Sequence, residues 1–351
     1  MTRVRVLVVE DSLTVRKRLC EVLASDRDFD VVGEAENGKQ AIEMCQSLRP
    51  DVITMDMMLP LMTGLAATEY IMAHFPTPIL IVSASTNRGE LFRTYDALAA
   101  GAVDVLEKPG AQDMQGEWEQ TLIASVKRTA RIRVITHLRG RLHPGGAISE
   151  PRVARTRDDG RCRVVAIGAS TGGPSALLEI LMNLPSPLPA PVLIVLHINE
   201  PFGTSFADWL DAQTAHRASF AQDGKLLGDV SGRVVIAPPE QHLRVRDGHL
   251  ILSREPPRHS CRPSVDCLFE SLAQESFAPQ SIGCLLTGMG RDGAAGLLAL
   301  RRAGAMTIAQ DEETSVVYGM PREAALLGAA QRVLPLGGIG PALTAAMMVQ
   351  P

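Results

Sequence analysis

Eight side chains of this sequence have the types and positions to do chemistry, and they fall into two groups. Glu10 and Asp11 directly follow the apolar run VRVLVV (4–9), and Asp56 ends DVITMD (51–56). Ser83 closes PILIVSA (78–84), and Lys108 sits near the end of AVDVLEKP (102–109). Crowded carboxylates repel one another unless a cation joins them, and oxygen-only donors with partial hydration suit Mg²⁺. With a hydroxyl and an ammonium at the same rim, Asp56 could attack a phosphoryl group and hold the product. The second group is Ser170 in IGASTGG (167–173), His197 ending PVLIVLH (191–197) and Asp292 in LTGMGRDGAAGLLAL (286–300). Gly168 to Gly172 fits G-x-S-x-G, in which a serine sits on a sharp strand-to-helix turn. The Thr171 amide would then point into an oxyanion hole at a helix N-terminus. Ser, His and Asp at neighbouring strand ends meet the needs of acyl transfer: attack, proton shuttle and tautomer control. Their chain order differs from the Ser, Asp, His order of the α/β-hydrolases.

Such groupings require strands that end together. With 351 residues, two domains are expected. Five apolar runs, at 4–9, 30–35, 51–56, 78–84 and 102–109, alternate with stretches of helical spacing such as Val15, Leu19, Val22 and Leu23. This predicts a flavodoxin-like (β/α)5 domain over 1–130, whose functional end lies between its first and third strands. Residues 137–160 lose both periods and gather Arg, Pro, Gly and Asp, so 131–160 reads as a linker that only tethers. A second domain, 161–351, has strands expected at 163–168, 191–197, 233–238, 249–253, 281–288 and 305–310. The 233–253 region, with QHLRVRDG between its two apolar runs, reads as a hairpin or meander. The rest reads as a doubly wound, mostly parallel α/β domain.

Composition narrows the function. An apolar share of 46%, a charged share of 21% and a net charge of −4 disfavour disorder and nucleic-acid binding, and no basic recognition helix is visible. The opening MTRVRVLVVEDS is a strand pattern instead of a signal peptide, and no apolar run reaches the roughly 18 residues a membrane span needs. A cytoplasmic chain without membrane insertion is expected. Six scattered cysteines, Cys20, Cys45, Cys162, Cys261, Cys267 and Cys284, form no C-x-x-C pair and read as buried or idle thiols. Two rival functions stand beside acyl transfer. Gly288, Gly290 and Gly293 satisfy G-x-G-x-x-G, with Asp311 ending the next strand, as a dinucleotide site would require. A catalytically idle receiver protein acting by docking is the other.

Two resemblances sharpen these readings. VVEDS, DVITMDMMLP, VSAST and EKP resemble the receiver domain of bacterial response regulators, over roughly residues 4–125. That resemblance implies Asp56 as phospho-acceptor, Glu10, Asp11 and Asp56 around Mg²⁺, and Ser83 and Lys108 as sensors of the phosphoryl group. Thr63 replaces the family's usual acid before Gly64-Leu65. IGASTGGP, IVLH, RPSVDCLFESLA, LLTGMGRDGAAGLLALRRAGAMTIAQDE and YGMPREA resemble the catalytic domain of the chemotaxis protein-glutamate methylesterase, also a protein-glutamine glutaminase. It implies Ser170 as nucleophile, His197 as general base and acid, Asp292 as its orienting acid, and the amides of Thr171 and Met289 as oxyanion donors. No cofactor is implied for the ester step. The implied partners are the cytoplasmic helical region of methyl-accepting chemotaxis receptors and a chemotaxis histidine kinase as phosphodonor, with the protein a monomer whose unmodified receiver covers the active site. Departures cluster near the expected cleft: Leu196 and Ile198 flank the histidine where Gln and Met are usual, the segment Asn199 to Thr204 is rearranged, and Cys261 stands where a His usually precedes Arg-Pro-Ser-Val-Asp.

Overall fold

The computed structural model describes residues 3–84, 87–109, 116–132, 134, 162–198 and 202–348. The expected linker, but for residues 131, 132 and 134, lies outside the described residues, as do Ser85 and Thr86 of VSAST and the Asn199-Glu200-Pro201 departure.

The five N-terminal runs form β1 (Val4–Val9), β2 (Phe29–Ala35), β3 (Val52–Met55), β4 (Ile79–Ser83) and β5 (Asp104–Glu107). They pair in parallel in the order β2-β1-β3-β4-β5. Helices α1 (Leu13–Ser25), α2 (Gly38–Leu48), α3 (Gly64–His74), α4 (Arg88–Ala99) and α5 (Glu117–Thr129) alternate with the strands. All four residues of β3 and all five of β4 are buried, which is why these strands read as continuous apolar runs: a parallel sheet is covered on both faces. Thr63 caps α3, its hydroxyl accepting from the Ala66 amide at 3.3 Å, so the position that departs from the family pattern still starts the helix.

The second domain contains β6 (Val164–Ala169), β7 (Val192–Leu196), β8 (Ala218–Phe220), β9 (Val234–Ile236), β10 (His242–Arg246), β11 (His249–Ser253), β12 (Ser281–Leu285), β13 (Met306–Gln310) and β14 (Arg332–Leu334). Its helices are α6 (Gly173–Met182), α7 (Phe206–Gln213), α8 (Val265–Ala273), α9 (Ala294–Arg302), α10 (Met320–Leu326) and α11 (Leu336–Met348). Seven strands make a parallel sheet ordered β14-β13-β12-β6-β7-β9-β8. The chain runs outward from β6 to β7 on one side and returns to β12 on the other. The reversal between β6 and β12 is the crevice where open α/β sheets bind their ligands.

The 233–253 region corrects the sequence reading. Val234–Ile236 is not an arm of the hairpin but a wholly buried strand of the main sheet, between β7 and β8. The hairpin's first arm and turn come from the expected separator and its second arm is the strand expected at 249–253: β10 pairs antiparallel with β11 across Asp247 (φ 50°) and Gly248 (φ 73°). Both turn residues are left-handed, the geometry that favours Asp-Gly in a two-residue hairpin. The three-residue strands β8 and β14 at the sheet's edges were not anticipated, because three residues carry no readable period.

The two domains meet through α4, which packs on α6 and α7. Tyr95 is fully buried there, its ring centroid 5.5 Å from those of both Phe206 and Trp209, and its hydroxyl donates to the Phe202 carbonyl. Asp96 Oδ1 accepts from Trp209 Nε1 at 2.9 Å and from Gln213 Nε2 at 3.3 Å. Burying an aromatic side chain of this kind contributes roughly 1.5–3 kcal/mol. Because α6 and α7 are the helices that follow Ser170 and His197, this seam adjoins the crevice.

Candidate active site

At the receiver rim, one oxygen each of Glu10, Asp11 and Asp56 lie within 4.8 Å of one another. Glu10 and Asp56 are buried while Asp11 faces solvent. Lys108 Nζ lies 2.8 Å from Glu10 Oε2 and 3.1 Å from Asp56 Oδ2. Burial raises the Glu10 carboxyl above its usual range, with Lys108 working against it. Burial also works against the Lys108 ammonium, but the Asp56 and Glu10 carboxylates outweigh it and raise its pKa. Ser83 is tied to Lys108 across the ladder, its carbonyl accepting from the Lys108 amide at 3.0 Å. Three converging carboxylates face one lysine, an arrangement whose negative charge a divalent cation would balance. An all-oxygen set open to water through Asp11 fits Mg²⁺.

In the second domain the β6–β7 ladder brings Ala169 opposite Leu196, and the His197 amide continues it by donating to the Ala169 carbonyl at 3.0 Å. Ser170 follows directly, its amide donating to the Thr287 carbonyl just past β12, also at 3.0 Å. Parallel register therefore gathers Ser170, His197 and the 287–293 loop at one rim. A Cβ on Gly288 would lie 2.7 Å from Ser170 Cβ and 2.4 Å from Met320 Sδ, so the loop can close on the serine only with glycine there.

His197 Nε2 lies 2.9 Å from Asp292 Oδ2, with the carboxylate 2% exposed and the imidazole 13%. Asp292 is itself held at the N-terminus of α8. Its Oδ1 accepts from Ser264 Oγ at 2.8 Å and the Asp266 amide at 3.2 Å, and its Oδ2 from the Val265 amide at 2.7 Å. Burial opposes ionisation of Asp292, but His197, Ser264 and the Val265 amide outweigh it and lower its pKa. Burial likewise disfavours a charged His197, yet Asp292 and Cys261 overcome it and push the imidazole up to about 9. Ser264, the N-cap of α8, is a site residue the sequence reading missed. A serine directly before the helical run VDCLFESLA signals a cap, but nothing local says that its hydroxyl reaches a carboxylate 28 residues away.

Of the sequence-predicted residues, the structure joins His197 to Asp292 by a hydrogen bond. Ser170 shares their rim, and no bond from its Oγ to the imidazole is formed among the described residues. The other imidazole nitrogen, Nδ1, faces Cys261 Sγ at 3.6 Å. The amides of Thr171 and Met289 donate to no protein acceptor among the described residues, whereas Gly288 donates to the Val317 carbonyl at 3.0 Å.

The dinucleotide alternative loses its parts in the same region. The Gly288 amide, a donor that a pyrophosphate would need, is already spent on the Val317 carbonyl at 3.0 Å. Asp311 is engaged by its own turn, accepting from the Thr314 amide at 3.0 Å and hydroxyl at 2.6 Å instead of facing a ribose.

A five-stranded sheet with an acid cluster at its switch point, followed by a seven-stranded parallel sheet with an Asp–His pair at its own, defines a receiver domain joined to a catalytic domain of the hydrolase class. Family models described as "Response regulator receiver domain" and "CheB methylesterase" match residues 6–115 and 165–343. The chain belongs to the CheB methylesterase family. It is 41% identical over 348 residues to a protein-glutamate methylesterase/protein-glutamine glutaminase of Nitrosospira multiformis, covering 97% of this chain and 96% of that protein. A protein of Anaeromyxobacter dehalogenans with the same description, numbered 2, is 43% identical over 340 residues, covering 97% and 96%. Among solved structures, the CheB methylesterase catalytic domain of Thermotoga maritima aligns at 35% identity and a TM-score of 0.49, covering 52% of this chain and 97% of that one. No helix among the described residues is long and apolar enough to cross a membrane.

Proposed function

We propose that this protein is a cytoplasmic, phosphorylation-activated hydrolase that removes the methyl group from glutamate γ-methyl esters of chemoreceptors and deamidates their glutamines. The observation that carries the reading is the Asp292–His197 pair at 2.9 Å beside Ser170 at the sheet's reversal, in a chain whose relatives bear the methylesterase name along their whole length.

Ser170 Oγ attacks the ester carbonyl, and His197 takes the hydroxyl proton. Since Nε2 is engaged by Asp292, the proton goes to Nδ1, and rotation of the serine side chain closes the bond that the resting site leaves open. The amides of Thr171 and Met289 stabilise the oxyanion. His197 then returns the proton to the departing methoxide, methanol leaves, and a water activated by the same nitrogen releases the glutamate. With a glutamine, ammonia leaves instead.

Asp56 accepts the phosphoryl group from a chemotaxis histidine kinase, with Lys108 and Ser83 engaging the phosphate oxygens. Glu10, Asp11 and Asp56 would hold the Mg²⁺, which supplies charge neutralisation for phosphoryl transfer. Phosphorylation loosens the α4 seam beside the crevice, where Tyr95 and Asp96 meet Phe202 and Trp209. The test is methanol release from methylated receptor membranes by the purified protein, with and without a small phosphodonor. Release that rises with the phosphodonor supports both halves; a Ser170→Ala variant that retains full release refutes the serine mechanism.

A further inference from the structure

We infer that Cys261 and His197 together form a binding site for a thiophilic metal ion of the Zn²⁺ class, and that an ion bound there inhibits the enzyme by occupying its general base. The binding claim stands on geometry alone; the inhibition rests on the function proposed above.

Three observations carry it. The first is spacing. An ion with a sulfur ligand at about 2.3 Å and a nitrogen ligand at 2.0–2.1 Å, at a tetrahedral angle, separates the two donors by about 3.5–3.6 Å. Cys261 Sγ and His197 Nδ1 are 3.6 Å apart before any ion is present.

The second is the state of the imidazole. Nε2 faces Asp292 Oδ2 at 2.9 Å, so the neutral ring carries its proton there and turns the Nδ1 lone pair toward the thiol. A carboxylate behind a metal-binding histidine is the usual outer partner of such ligands, fixing tautomer and ring orientation. Asp292 is held in turn by Ser264, Val265 and Asp266, so the supporting layer is already built.

The third is the rigidity and accessibility of the thiol. Cys261 closes a tight turn in which it and Arg258 exchange backbone hydrogen bonds at 2.8 and 3.0 Å, across His259 and Ser260 at φ 50° and 62°. Arg258 is anchored by Glu270 through a two-pronged ion pair. Yet Cys261 is only half-buried and the imidazole keeps some solvent contact, so an ion can enter. Binding replaces the thiol proton with the metal and, where the ring is charged, releases the Nδ1 proton to solvent as well; water fills the remaining positions, and Nδ1 no longer accepts a proton from Ser170.

The experiment uses the full chain with excess Mg²⁺ to fill the receiver site and Co²⁺ as a spectroscopic probe. A near-ultraviolet thiolate-to-cobalt charge-transfer band saturating at one equivalent, lost in Cys261→Ser, is expected. His197→Gln should weaken Co²⁺ binding tenfold or more. Zn²⁺ should displace the cobalt and inhibit ester hydrolysis, with Cys261→Ser raising the inhibitory concentration at least tenfold relative to its own zinc-free rate. A band that persists undiminished in Cys261→Ser, or a parent protein with no band, overturns the site. Cobalt binding that depends on Cys261 without zinc inhibition overturns the inhibitory role alone. If the protein hydrolyses no methyl ester at all, the spectra still decide the binding claim, so the two failures are distinguishable.

Discussion

Asp292 and His197 are 95 positions apart in the chain and 2.9 Å apart in space, and the carboxylate that meets the imidazole is held by three donors from the start of α8. A carboxylate so constrained fixes the ring, and the ring leaves only Nδ1 to work on Ser170 or to meet Cys261.

Replacing Ser170 with Ala should lower kcat for methanol release by about 10³-fold or more without altering the far-ultraviolet circular dichroism, because the Ser170 hydroxyl touches no structural partner among the described residues. Asp292→Asn, which leaves shape but removes charge and reverses the preferred tautomer, should cost about 10⁴-fold. Rates within tenfold of the parent for both variants would remove the triad from the mechanism.

The pH dependence has a definite sign. In the proposed mechanism neutral His197 accepts the serine proton, and its pKa is pushed up to about 9, so kcat/KM should climb with pH toward an inflection near that value. Asp292→Asn deprives the imidazolium of its carboxylate and should move the inflection down. In stability the sign is opposite: a raised folded pKa contributes stability that is complete below the unfolded histidine value and is lost as pH rises through about 9. Thermal melts against pH, compared between the parent and His197→Gln, check this.

Gly288→Ala tests how closely the loop is packed. The added methyl would sit 2.7 Å from Ser170 Cβ, so something must shift. A displacement near 1 Å at the nucleophile costs about 10²-fold. The loss should fall on kcat more than on KM, read from steady-state kinetics on methylated receptor.

At the receiver, Asp56→Asn or chelation of Mg²⁺ should abolish stimulation by a phosphodonor while leaving the unstimulated rate unchanged. Stimulation that survives Asp56→Asn would place the phospho-acceptor elsewhere.

The seam between domains gives a prediction in the opposite direction. Asp96→Ala leaves the buried Trp209 N–H without its acceptor only while the domains are closed, a loss of roughly 1–3 kcal/mol. The unstimulated rate should therefore rise about fivefold or more, with the phosphorylated ceiling unchanged. An unstimulated rate equal to the parent's would detach this contact from regulation.

Much of this was legible because it is local. The apolar runs, the glycine turn around Ser170 and the strand-end acids at Glu10, Asp11 and Asp56 each declare themselves within a few residues, and parallel strands covered on both faces are continuous in sequence. Where local signals were weak, the reading slipped. The 233–253 run reads equally as hairpin or meander, whereas Val234–Ile236 joins the main sheet and the hairpin forms from β10 and β11, and the three-residue edge strands β8 and β14 carry no signal.

The sequence by itself determined most of the alternation of strands and helices, the two-domain plan and which side chains stand at strand ends. Tertiary structure alone decided their company. Parallel strands pair across long crossovers, so no local pattern states that β6 lies between β12 and β7, and only that adjacency brings Ser170, His197 and Asp292 to one rim. The same holds for Ser264 behind Asp292, for Cys261 against His197, and for Tyr95 under Phe202, pairs 28, 64 and 107 residues apart. Each is made by packing of surfaces that meet only after the sheet has formed, and contacts of that separation leave no period or motif to read.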